Sequence, residues 1–179
     1  MSIIYNVCLV PIGDFAERIA LYSQNLSTKN HSRFVLGKFS VPHATVLQFS
    51  SNETEEQVLK AFRQLRCEKR ISVNVAGLAL LPTDDGDLWC ELAILKSSAL
   101  QSLQLSVMDG LRSMVSEVKN AVQDNFRPHF TVALNFTPTT ETQWSQPFLP
   151  TSLLRASNEI CELRIGRSGE NFQVTYLFE

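Results

Sequence analysis

The chain has 179 residues, 44% hydrophobic and 19% charged, ordinary proportions for one globular domain with a core of its own. Its net charge of −2 and pI near 5.9 exclude the global positive field that holds long duplex nucleic acid. A small phosphate ester or an RNA end stays open as a partner. No apolar run approaches the roughly 18 residues of a membrane span, and Met1 is followed by neither a basic region nor a long apolar stretch. A cytoplasmic protein with no membrane attachment is expected.

Ile3 to Val10 reads as an opening β-strand, broken by Pro11-Ile12-Gly13-Asp14. Asp14 is a suitable N-cap for a helix through about Leu26, whose apolar face carries Phe15, Ile19 and Leu26. A polar loop, Ser27 to Ser32, precedes a short strand Arg33 to Leu36 and a turn at Gly37-Lys38, and a second strand follows through Phe49. Asn52 with Glu55 resembles a capping box for a helix bearing Val58, Leu59, Phe62 and Leu65 on one side.

Arg70 to Leu81 reads as one central strand, Pro82 to Asp87 as a turn, and Leu88 to Leu95 as the returning arm of a hairpin. Ser97 or Ser98 caps a longer helix, Ala99 to Val118, with Leu100, Leu103, Val107, Leu111, Met114 and Val118 at helical spacing. Gly110 is the one residue that argues against its continuity. A strand through Phe136, a Thr- and Pro-rich loop from Thr137 to Leu149, and a last hairpin (Glu159 to Ile165, Phe172 to Phe178) complete the chain. Helices separated by strand pairs indicate an α+β fold of mostly antiparallel sheet. The cysteines, Cys8, Cys67, Cys90 and Cys161, have no C-x-x-C spacing, and Cys8 and Cys90 read as small hydrophobes within strands.

One pattern occurs twice. Pro42-His43-Ala44-Thr45-Val46 returns as Pro128-His129-Phe130-Thr131-Val132, with four of five positions identical and the histidines 86 residues apart (129 − 43). Each copy opens a strand, so the His and Thr, two residues apart, face the same way. Two such pairs facing each other would make a symmetric acid–base site. A histidine pair can hold one neutral and one protonated ring near pH 7, supplying a general base and a general acid. The adjacent hydroxyls can donate to phosphate oxygens. Such a site calls for no metal and no cofactor.

The doubled Pro-His-x-Thr-Val pattern resembles the two-histidine (2H) phosphoesterase superfamily, which includes 2′-5′ RNA ligase-like proteins and cyclic phosphodiesterases. The resemblance implies two similar lobes of mostly antiparallel sheet, helices packed outside, and a central cleft carrying both His-x-Thr motifs. It implies His43 and His129 as the catalytic pair and Thr45 and Thr131 as phosphate-binding residues. The implied substrates are 2′,3′-cyclic phosphates or 2′-5′ linkages of nucleotides and RNA ends, handled by a monomer. Which histidine is the base stays open. Ligase-like bacterial members often have an arginine shortly after the second motif, where this chain has Ala133-Leu134-Asn135. Arg127, two residues before His129, and Arg167, at the last hairpin, are the candidate replacements.

Rival readings are a module that binds a nucleotide or RNA terminus with little turnover, and a ligase or transesterase using the same residues. His31 lies in a polar loop away from either motif, and a zinc site joining it to His43 and His129 lacks close-spaced ligand pairs. Asp84, Asp85 and Asp87 sit in a turn composition rather than a cation loop. Trp89, Phe136, Trp144, Phe172 and Tyr176 include candidates for stacking a base, though core packing accounts for most aromatics in such runs.

Overall fold

The computed structural model describes residues 3–30, 35–37, 40–82, 88–136, 150–169 and 173–178. His31, Asp84, Asp85, Asp87, Trp144 and Phe172 fall outside these residues, as does the 137–149 loop. Nine strands are described, β1 (Ile3–Pro11), β2 (Ala44–Ser51), β3 (Arg70–Val73), β4 (Val75–Pro82), β5 (Leu88–Ile94), β6 (Glu117–Val118), β7 (His129–Phe136), β8 (Glu159–Ser168) and β9 (Val174–Leu177). The helices are α1 (Asp14–Asn30), α2 (Glu55–Arg63), α3 (Ser98–Gly110) and a short α4 (Thr151–Leu154).

The strands form two antiparallel sheets. One runs β3-β8-β1-β2-β6, with β9 paired to β8; the other runs β4-β5-β7. The fold is α+β. The motif strands come from different sheets, β2 from the larger and β7 from the edge of the smaller, and they lie against each other. Helix α1 connects β1 to β2 yet packs on β7, while α3 connects β5 to β7 and packs on β2. Each crossover helix therefore covers the other sheet's motif strand. Phe15 of α1 meets Phe130 of β7 edge to face at 5.6 Å, and both are buried. Each such ring contributes roughly 1.5–3 kcal/mol by leaving water. A single buried cluster, including Tyr5, Phe49, Leu92 and Phe130, runs through both sheets.

Several local expectations need correction. The run expected as one strand, Arg70 to Leu81, divides at Asn74 into β3 and β4, which belong to different sheets. Asn74 Oδ1 accepts from the Asn158 backbone N–H at 2.8 Å, pinning the crossover, and a bulge between Val75 and Gly77 redirects the chain. The polar Asn74 fits the alternation of the run, so the sequence conceals the change of sheet.

The helix expected to reach Val118 stops at Gly110. A Cβ there would lie 2.3 Å from Leu65 Cδ2, so the glycine serves close approach of that side chain. Beyond it come a 3-10 turn (Arg112–Met114) and β6, which pairs with β2. The capping box of α2 is Thr54 with Gln57, not Asn52 with Glu55. Asp14 is the first residue of α1, which continues past Leu26. Ser97 caps α3 as expected, accepting from the Leu100 N–H. Of the expected strand near Leu36, the described part is an isolated bridge to Ser40.

Candidate active site

The two motif copies fold alike. In each, the proline removes a backbone donor and restricts the residue before it to extended backbone, and the carbonyl of that residue faces the histidine ring. His43 Nδ1 lies 2.8 Å from the Val41 carbonyl, and His129 Nδ1 lies 2.8 Å from the Arg127 carbonyl. A carbonyl only accepts, so both Nδ1 atoms carry hydrogen and both Nε2 atoms are left for chemistry.

The strands then bulge at the same place. Val7 pairs with Leu47 and Cys8 with Thr45, so Val46 has no cross-strand partner. Cys90 pairs with Ala133 and Glu91 with Thr131, so Val132 has none. The valine of each copy is the inserted residue, and the threonine before it stands opposite one residue of the neighbouring strand.

Thr45 and His129, one from each copy, line a common cavity of about 490 Å³ with Arg127, Trp89, Asn120 and Phe126. That volume is within the range of small-molecule sites. A larger cavity of about 650 Å³ between α2 and α3 is lined by Lys60, Arg66 and Asp109 but touches neither motif. The chemistry-bearing groups are at the smaller one.

His43 is buried and does not line the cavity. Burial pushes its pKa down to about 4; the bond to Val41 opposes this and the charge of His129 adds to it. At neutral pH its ring is uncharged, with the Nε2 lone pair unprotonated. His129 is half-buried, and the Trp89 ring meets it edge to face at 6.1 Å. Thr131 is half-buried on β7 and is not among the lining residues.

Arg127 does share the cavity with His129. Arg167 does not: it donates from Nε to Glu55 Oε2 at 2.8 Å and lies over the Phe178 ring. Tyr176, a stacking candidate, is exposed and packs edge to face on Phe178, away from the cavity. The cysteine thiols at 8, 90 and 161 are buried, which pushes each up to about 12, so they are neutral.

Two residues not singled out in the sequence complete the arrangement. Asn6 on β1, fully buried, donates from Nδ2 to Thr45 Oγ1 at 3.0 Å. The Thr45 oxygen thereby accepts and its own hydrogen remains to be donated. Glu91 on β5, also fully buried, accepts from Arg127 Nη1 at 2.7 Å through Oε1 and places Oε2 3.4 Å from His129 Nε2. The signal for Glu91 was a lone charge inside the apolar run Leu88 to Ile94, since buried carboxylates occur almost only with partners.

Among the described residues, no group of three metal-ligating side chains gathers, and no helix is long and apolar enough to cross a membrane. No protein-family model and no curated protein sequence matches the chain. Among solved structures, the chain is similar to Usb1 of Kluyveromyces marxianus, at 12% identity over 99% of this chain and 95% of that one, with a TM-score of 0.49.

Proposed function

We propose that this protein is a metal-independent phosphodiesterase acting on 2′,3′-cyclic phosphates or 2′-5′ linkages of nucleotides or RNA ends by two-histidine acid–base catalysis. The observation that carries the reading is the meeting of β2 and β7, which brings Thr45 and His129 from separate copies to one cavity. His43 and His129 are the catalytic pair. Thr45, Thr131 and Arg127 hold the phosphate, whose charge is met by hydroxyls and a guanidinium. Each oriented donor of this kind is worth about 10²–10³-fold in rate when the transition state concentrates charge on those oxygens.

The test is turnover of a panel of 2′,3′-cyclic nucleotides and a 2′-5′-linked oligonucleotide in a chelator, with phosphorus NMR of the products. New phosphomonoester signals support the reading, and their position identifies the ribose oxygen that leaves. A second reading, a module binding nucleotides or RNA ends without turnover, draws on the burial of His43 outside the cavity lining. Binding of nucleoside monophosphates with every cyclic phosphate left unconverted would favour it.

A further inference from the structure

We propose that Glu91 is the positioning residue that breaks the near-twofold likeness of the two motifs, fixing His129 as the acid that protonates the leaving oxygen and His43 as the base. This rests on the phosphodiesterase reading above and adds to it a role for each histidine.

The two copies share their backbone geometry and differ in what faces the threonine. Ring nitrogen, carbonyl partner and bulged valine are all repeated. The cross-strand partner of Thr45 is Cys8, while that of Thr131 is Glu91. In an antiparallel pair, opposed residues share a face, so the first His-Thr pair has a buried thiol beside it and the second a buried carboxylate. The thiol is neutral, because burial pushes it up to about 12. Among the described residues, His129 has a carboxylate 3.4 Å from its Nε2 and His43 has no ion-pair partner.

The carboxylate is divided between two partners. Oε1 is taken by Arg127, and Oε2 accepts no hydrogen bond from a described residue while standing 3.4 Å from His129 Nε2. At that distance the carboxylate faces the ring nitrogen without a tight, directed bond, so Nε2 stays available to a substrate oxygen. Among the described residues, the charged groups paired with Glu91 are Arg127, just before β7, and His129, its first residue. With His129 protonated, the trio carries a net +1 (−1 + 1 + 1), the complement of a phosphodiester monoanion. Among the described residues no carboxylate pairs with His43, and its neutral ring suits the base.

His43 Nε2 removes a proton from water while the water oxygen bonds to phosphorus. The bond from phosphorus to one ribose oxygen breaks, and His129 Nε2–H passes its proton to that oxygen. His43 then releases its proton to solvent and His129 regains one. Glu91 touches no reacting atom.

A matched pair of substrates separates this from a structural role: a 2′,3′-cyclic phosphate and the same compound with sulfur at the leaving position, which departs as a thiolate without a proton. Glu91→Gln keeps the shape and an acceptor for Arg127 but removes the charge. It is expected to lose about 10²-fold in kcat/KM on the oxygen substrate and under about threefold on the sulfur one, the size of a lost acid contribution. His129→Gln should show the same selectivity, and His43→Gln should lose activity on both. Equal losses for Glu91→Gln on the two substrates, or selectivity in His43→Gln instead, would overturn the assignment. Should Glu91→Gln not fold by circular dichroism, the same comparison is read on Glu91→Asp, whose shortened acid must also favour the sulfur substrate. Absence of wild-type turnover on both compounds overturns the underlying phosphodiesterase reading instead.

Discussion

Val46 and Val132 occupy the same place in the two sheets: each is the residue that a β-bulge leaves without a cross-strand partner, directly after a motif threonine. A bulge bends its strand and re-aims the neighbouring side chains. The two sheets thus turn their His-x-Thr segments by the same device, and the strands that carry them meet at one cavity.

The pH dependence of activity is the first consequence. With His43 titrating near 4 rather than 6.5, a base at this position stays competent far into acid. The acid limb of kcat/KM, which reports the free enzyme, is expected near pH 4 in a profile taken from pH 3 to 9. An acid limb between pH 6 and 7 would remove His43 from the base role.

Stability should follow the same group. The folded-state pKa of His43 is depressed below its unfolded value, so between about pH 6.5 and 4 the unfolded chain binds the extra proton. The contribution is fully present above 6.5 and is lost as pH falls through that window, on the order of 3 kcal/mol in all. Urea midpoints at pH 7 and pH 4.5 should diverge more for wild type than for His43→Gln. One transition is expected at each pH, because one buried cluster runs through both sheets. Equal pH sensitivity in the two proteins would contradict the shift.

The Asn6–Thr45 hydrogen bond predicts an informative pair of variants. Thr45→Val removes the hydroxyl and should lower kcat by about 10²–10³-fold. Asn6→Asp replaces a donor with an acceptor, so the Thr45 hydrogen is drawn to the new carboxylate and away from the phosphate. Its kcat should fall nearly as far, with the fold checked by circular dichroism. Wild-type kcat in Asn6→Asp would show that the bond does not orient the hydroxyl.

Two glycines test the packing. A Cβ at Gly166 would stand 2.3 Å from the Tyr176 carbonyl oxygen, a backbone atom, whereas at Gly110 the obstacle is Leu65 Cδ2, the end of a flexible side chain. Gly166→Ala must push β8 and β9 apart and should cost about 1–3 kcal/mol, in the range of overpacking. Gly110→Ala should cost less, because Leu65 can change rotamer and alanine favours the helix. Chemical denaturation ranks the two, and the reverse order would contradict the account.

Much of this architecture was legible from residue order. The β-branched opening, the helical spacing of Leu100, Leu103 and Val107, and the doubled motif each reflect a local rule, and local rules appear in sequence. What was not legible depended on distant partners. Nothing near Asn74 shows that the chain changes sheets there, because the constraint comes from Asn158. Met114 and Val118 keep helical spacing although the helix has ended at Gly110, where Leu65 approaches too closely for a Cβ. Glu91 and Asn6 acquire their parts only when β5 meets β7 and β1 meets β2. Arg127, two residues before the first residue of β7, lines the same cavity as His129, a proximity that sequence spacing makes visible.

The most direct test of the central claim is single-turnover conversion of a 2′,3′-cyclic nucleotide in EDTA by wild type, His43→Ala and His129→Ala, each verified as folded. The account predicts turnover by wild type that survives the chelator and falls by about 10²–10⁴-fold in each variant, the span of a lost acid or base. Wild-type rates in either variant, or turnover abolished by EDTA and restored by a divalent metal, would contradict it.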